Sequence, residues 1–119
     1  MILITGIPSA GKTTYAPDAL HLDAVRRLPE AERMAAYAGA DAVEGTFITR
    51  RSRIRLLEAW EGRDGRRVCV WLDTPLDICL AREKARGRGE WLVRHHARRF
   101  EPPTLDEGWD EIRIVRSME

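Results

Sequence analysis

The sequence predicts an α/β three-layer sandwich: about five parallel strands, helices on both faces, in one domain spanning residues 1–119. Three observations predict it. Apolar Ile2, Leu3 and Ile4 run straight into a glycine-rich turn and then a helical segment. Short apolar runs alternate with helix-period segments along the rest of the chain. Residues 68–72, Val-Cys-Val-Trp-Leu, are apolar throughout, as befits a parallel strand covered on both faces.

The turn after the first strand carries the strongest chemical signal. Gly6, Gly11, Lys12 and Thr13 match G-x-x-x-x-G-K-[ST], the phosphate-cradling P-loop. Glycine permits backbone angles and close approach that a Cβ blocks. The N–H groups of residues 9–13 can then converge on an anion, assisted by the positive end of the helix dipole. Gly6, Ser9, Ala10, Gly11, Lys12, Thr13 and Thr14 are therefore expected to hold ATP, with Lys12 on the β/γ-phosphates and the Thr13 hydroxyl on Mg²⁺.

Pro17 ends this helix early, because it lacks a backbone donor. Residues 19–22 read as a second strand ending at Asp23. Residues 23–37 are helical in pattern, with Val25, Leu28, Met34 and Tyr37 as core positions, Pro29 starting a second piece and Gly39 closing it. Residues 42–47 form a third strand. Residues 49–60 form an amphipathic helix whose apolar stripe is Ile54, Leu57 and Trp60, with Arg50, Arg51, Arg53 and Arg55 on the remainder. Residues 62–65 make a turn before the fourth strand. Thr74 is expected to cap a helix with Pro75 at its first position, running to about Arg86. After Gly87-Arg88-Gly89 comes a basic helix over residues 90–100, giving a lid at about 86–100. Residues 101–104 are loop, residues 105–109 a short turn, and residues 112–115 a last strand.

Composition narrows the functional classes. The chain is 44% hydrophobic and 33% charged with a formal net charge of +1, so no global field recruits nucleic acid or membrane. Eighteen of its twenty cationic residues are arginine, and only Lys12 and Lys84 are lysine. Cys69 and Cys79 lack metal spacing and read as buried, reduced thiols, which suits a cytoplasmic protein. No apolar run has membrane-spanning length, and no secretory leader is expected.

A GTPase base-reading N/T-K-x-D motif is absent, and 119 residues leave little room for a motor. A small kinase needs a proton acceptor, cations for the migrating phosphoryl and a water-excluding lid. Asp23, just past the second strand, can take the proton of an attacking hydroxyl; it can equally N-cap the helix that follows. Arg26, one turn on, can hold an acceptor phosphate or lie in solvent. Arg82 and Arg86, spaced i, i+4, can fork around phosphate oxygens. Arg94, Arg98 and Arg99 read as a solvated face, and adjacent His95 and His96 point apart, so they are not a metal pair. Trp109 and the Pro102-Pro103 loop are candidate walls for a base pocket.

In order along the chain, GIPSAGKT, Asp23-x-x-Arg26, Gly45-Thr46 before an arginine-rich helix, Leu80-Ala81-Arg82-x-x-x-Arg86-Gly87 and the tail Phe100-Glu101-Pro102-Pro103-Thr104-Leu105-Asp106-Glu107-Gly108-Trp109 resemble the polynucleotide 5′-hydroxyl kinase family. The resemblance covers nearly the whole chain and implies a P-loop kinase fold. It implies Asp23 as general base, Arg26 and Thr46 on the acceptor, and Arg82 and Arg86 as lid arginines on ATP. Arg82 is the nearer to the transferred group, so the catalytic set is Lys12, Asp23 and Arg82. The family often has aspartate then Thr-Asn at the end of the third strand; here Glu44-Gly45-Thr46-Phe47 stands there, and Glu44 could substitute. The expected activity is ATP- and Mg²⁺-dependent transfer of the γ-phosphate to a hydroxyl, with the 5′-hydroxyl of a polynucleotide as the expected acceptor. Arg50, Arg51 and Arg53 would then be a weak phosphate track. Alternatives are a kinase of a nucleoside, modified-base hydroxymethyl group or other metabolite, and an ATP-binding module that does not catalyse.

Overall fold

Leu3 and Ile4, adjacent in the first strand, are both almost wholly buried but on opposite faces, and this alternation divides the core in two. The computed structural model describes residues 1–116. Five strands form one sheet in the order β2-β3-β1-β4-β5, every pairing parallel: β1 (Ile2–Thr5), β2 (Leu20–His21), β3 (Ala42–Gly45), β4 (Val68–Leu72) and β5 (Glu111–Val115). Helices α1 (Lys12–Tyr15), α2 (Leu22–Val25), α3 (Glu30–Gly39), α4 (Arg50–Ala59), α5 (Leu76–Ala85) and α6 (Trp91–Arg99) connect them, with a 3₁₀ turn at Leu105–Glu107. The predicted α/β sandwich with a five-stranded parallel sheet is what the chain forms.

Leu3, Val43 and Cys69 lie in register and face α2, α3 and α4, packing with Tyr37, Leu56, Trp60 and Trp109. Ile4 and Val70 face the other way, with Ala10, Cys79 of α5 and Val93 of α6. Glu44 pairs in register with Ile4 and with His21, so both polar residues share the α5–α6 side of the sheet. Both cysteines are free and buried, and burial pushes the Cys69 thiol up to about 12. Among the described residues no helix is long and apolar enough to cross a membrane.

Several local expectations shift. Pro29 is the N-cap of α3, outside its first turn, and Gly39 is its last helical residue. Leu28, expected in the core, is 38% exposed, whereas Val25 and Tyr37 are buried. Arg53 and Leu56 are the buried positions of α4, each one residue before the expected Ile54 and Leu57, while Trp60, at the C-cap, is buried as expected. A guanidinium can occupy the apolar stripe here because a carboxylate from the distant tail meets it. Thr74 does not cap α5: Pro75 stands at the N-cap, and the Thr74 hydroxyl donates instead to the Ala10 carbonyl at 2.7 Å.

Candidate active site

The turn between β1 and α1 is shaped by sterics before chemistry. A Cβ on Gly6 would lie 2.9 Å from the Leu72 carbonyl oxygen and 3.1 Å from Ala10 Cβ, so only glycine passes over β4 there. Ser9 has φ 65 and Gly11 φ 102, both left-handed. Such reversals turn successive N–H groups toward one centre. With only four residues α1 contributes little dipole, so the cradle rests on loop amides and on Lys12. The Lys12 ammonium donates to the carbonyls of Gly6 at 3.0 Å and Ile7 at 2.8 Å. Burial lowers its pKa to about 8, against the opposing pull of Glu44, Cys79 and Asp23.

Helix α5 brings its arginines onto this loop. Arg82 donates to the Ser9 carbonyl at 3.0 Å and Arg86 to the Ser9 hydroxyl at 3.2 Å. The Ser9 hydroxyl in turn donates to buried Glu83 at 2.8 Å, and Arg88 binds the same carboxylate at 2.7 Å. Ala10, Gly11, Thr14, Arg82 and Arg86 line a cleft of 380 Å³, completed by Tyr15, Leu72, Thr74 and Val115. Five of the residues expected around ATP therefore share one cavity. Trp109 is not among them: it is buried against Trp60 and donates to Glu107 at 3.0 Å, so it is no base-pocket wall.

The expected acceptor residues converge too. Arg26 and Thr46 line a second cleft, of 280 Å³, with Arg33, Arg55, Tyr37 and Phe47 among its walls. Arg55 is committed to Glu30 and Glu58. Among the described residues Arg33 makes only a long hydrogen bond, 3.4 Å, to the Arg26 carbonyl. Asp23 lies inside the first turn of α2, whose N-cap is His21, so it is not a cap. Its side chain is 85% exposed and 3.6 Å from Arg26.

Glu44, at the end of β3, does not stand free; it is buried and paired with His21 Nδ1. Helix α6 is pinned by fully buried Val93. His95 stacks on Trp91, while Nδ1 of His96 is enclosed without a hydrogen-bond partner among the described residues. Burial first, then His95, Lys12 and Arg26, hold the His96 pKa below its usual value.

The arginine track is largely absorbed by structure. Arg50 is bound to Asp106 at 2.8 Å and Thr104 at 2.9 Å, and Arg53 has no exposed surface. Among the described residues no cluster of three or more His, Cys, Asp or Glu side chains could hold a metal. The Glu83 and Thr74 contacts had no local sequence signal, since their partners Ser9 and Ala10 lie 74 and 64 residues away.

No family model matches the sequence, and no curated protein does. Among solved structures the chain is similar to a gluconokinase from Sinorhizobium meliloti 1021, with a TM-score of 0.65 over 99% of this chain and 82% of that one, at 17% identity. A likeness at that identity establishes the fold, an α/β architecture found in a kinase, and no narrower membership.

Proposed function

We propose that this chain is an ATP-dependent phosphotransferase whose acceptor is a hydroxyl on a small, negatively charged molecule. The observation that carries the reading is Arg82 of α5 resting on the P-loop carbonyl of Ser9, with a separate arginine-walled cleft at the β2–β3 edge. One region offers cations to polyphosphate and the other to an anionic acceptor. A volume of 280 Å³ suits a metabolite, and the fold neighbour is a small-molecule kinase by name.

In this reading Lys12 and the loop amides hold the β- and γ-phosphates, while Arg82 and Arg86 offset charge on the transferred group. The acceptor oxygen bonds to Pγ as the bond from Pγ to the bridging oxygen breaks. ADP leaves, and the hydroxyl proton passes to a base at the end of β2, for which Asp23 is the carboxylate at hand. Arg26 and Arg33 hold the acceptor's anionic group, with Thr46 beside it. The exposed Thr13 hydroxyl, which forms no hydrogen bond among the described residues, suits Mg²⁺, a hard cation that takes most of its ligands from phosphates and water. When bound, Mg²⁺ would neutralise charge on the phosphates.

A polynucleotide 5′-hydroxyl, favoured by the ordered motifs, has less support, because two of the three track arginines, Arg50 and Arg53, are bound within the fold. The deciding experiment offers γ-labelled ATP and Mg²⁺ with a panel of hydroxylated acids, gluconate among them, nucleosides and a 5′-hydroxyl oligonucleotide. Label on an acid, cut by about 10²–10³ in Lys12→Ala and Asp23→Asn, supports the proposal. Label on the oligonucleotide alone, with steep salt dependence, would restore the polynucleotide reading. Retained ATP binding with no transfer to any acceptor would point to a binding module.

A further inference from the structure

Phe47 is buried and has φ 35, a left-handed conformation that a bulky residue keeps only when its surroundings impose it. It stands beside Thr46 in the wall of the 280 Å³ cleft. Its carbonyl accepts from Arg53 Nη1 at 2.8 Å, and the Thr46 carbonyl accepts from the Thr5 hydroxyl at 2.6 Å. Arg53 is gripped by both oxygens of Glu107, at 2.8 and 3.0 Å. Glu107 also accepts from Trp109 Nε1 at 3.0 Å and from the Thr104 amide at 3.1 Å. The same tail holds the far side of the turn, where the Glu101 amide donates to the Ile48 carbonyl at 2.7 Å and the Arg50 amide to the Glu101 carboxylate at 2.9 Å.

A fully buried ion pair adds little net stability over apolar residues of the same volume, so stability alone does not account for it. We propose that Glu107, acting through Arg53, is a positioning residue for the acceptor: the tail clamps the Thr46–Phe47 wall in the one shape that admits it. The proposal rests on the reading of this cleft as the acceptor site. It assigns the tail segment to substrate placement, although none of its residues lines that cleft.

The test is Arg53→Met combined with Glu107→Gln, which removes both buried charges and leaves a carbonyl for Trp109 Nε1, while the Thr104 amide gives up the second carboxylate oxygen. With the acid that the wild type labels best, acceptor KM should rise at least about tenfold while ATP KM and kcat stay within about threefold. Amide exchange at residues 46–49 should accelerate about tenfold, with β1 and β4 unchanged. Acceptor and ATP KM rising together, or an unchanged acceptor KM, would overturn the proposal. If the double variant fails to fold, Thr5→Val, which removes the second bond to the turn, must show the same split in KM. A wild type silent across the panel defeats the kinase reading, and unchanged exchange at 46–49 would then defeat the clamp as well.

Discussion

The hydroxyl of Ser9 donates to Oε1 of Glu83 at 2.8 Å, joining the phosphate loop to a buried carboxylate on α5. Ser9 itself sits at φ 65, where a non-glycine residue needs outside support. Glu83 supplies that support and also fixes Arg88, while Arg82 and Arg86, on the same helix, bind the two oxygens of Ser9. Loop shape and arginine placement are thus one arrangement.

Glu83→Ala should therefore weaken ATP binding even though Glu83 lines neither cleft. Losing a hydrogen bond to a charged group costs about 1.5–3 kcal/mol, or at least about tenfold in Kd. Calorimetric titration with ATP checks it; an unchanged Kd would show that the loop holds its shape alone.

Arg53→Met alone should be far worse for stability than its combination with Glu107→Gln. The single change strands a carboxylate whose side chain is 1% exposed, at a cost of about 3–5 kcal/mol. The pair, with both charges gone, should lie within about 1 kcal/mol of wild type. Urea melts of the four members of the cycle give the coupling directly.

Acid should reveal the same pair. Burial pushes the Glu107 carboxyl upward, but hydrogen bonds from Arg53 and Trp109 and the Arg53 charge outweigh it, so its pKa falls below the usual 4.5. A depressed folded pKa gives stability that is complete above the unfolded value and lost as pH falls through the folded one. Below about pH 4.5 the wild type should lose Tm more steeply than the double variant. Parallel curves would mean that another carboxylate governs acid unfolding.

Gly45→Ala should damage the acceptor edge. The new Cβ would lie 2.5 Å from Leu22 Cβ and 3.0 Å from the Phe47 ring. Overpacking of this kind costs about 1–3 kcal/mol. Thermal melting should show the loss, and acceptor KM should rise because both neighbours line that cleft.

What could be read from the sequence was local. The P-loop declares itself because its chemistry sits within eight consecutive residues after an apolar run. The five strands were found in order because each is a short apolar stretch between breakers. Arg53 was misplaced because periodicity treats arginine as polar. Yet Arg53, Leu56 and Trp60 keep helical spacing, and only Glu107, 54 residues on, makes that stripe tolerable. The tail of phenylalanine, prolines, Glu107 and Trp109 was legible as a pattern, but its work was not. Its partners lie on α4, and Phe100 stacks on Trp71 at 5.3 Å. Arg26 and Thr46 line one cleft and Asp23 lies 3.6 Å from Arg26 without lining it, whereas Arg33 was missed because Pro29 separates it from α2.

The position of β1 at the centre of the sheet has a consequence for biosynthesis. Strand β1 pairs with β3 and β4, and β4 pairs with β5. Until Glu107 leaves the ribosome, Arg53 has no counter-charge with which to enter the core. This domain should thus stay open until the segment around Glu107 has emerged, exposed meanwhile to chaperones and proteases. Ribosome-bound chains arrested before and after Glu107 emerges should differ sharply in protease resistance; equal resistance would mean that α4 docks without its partner.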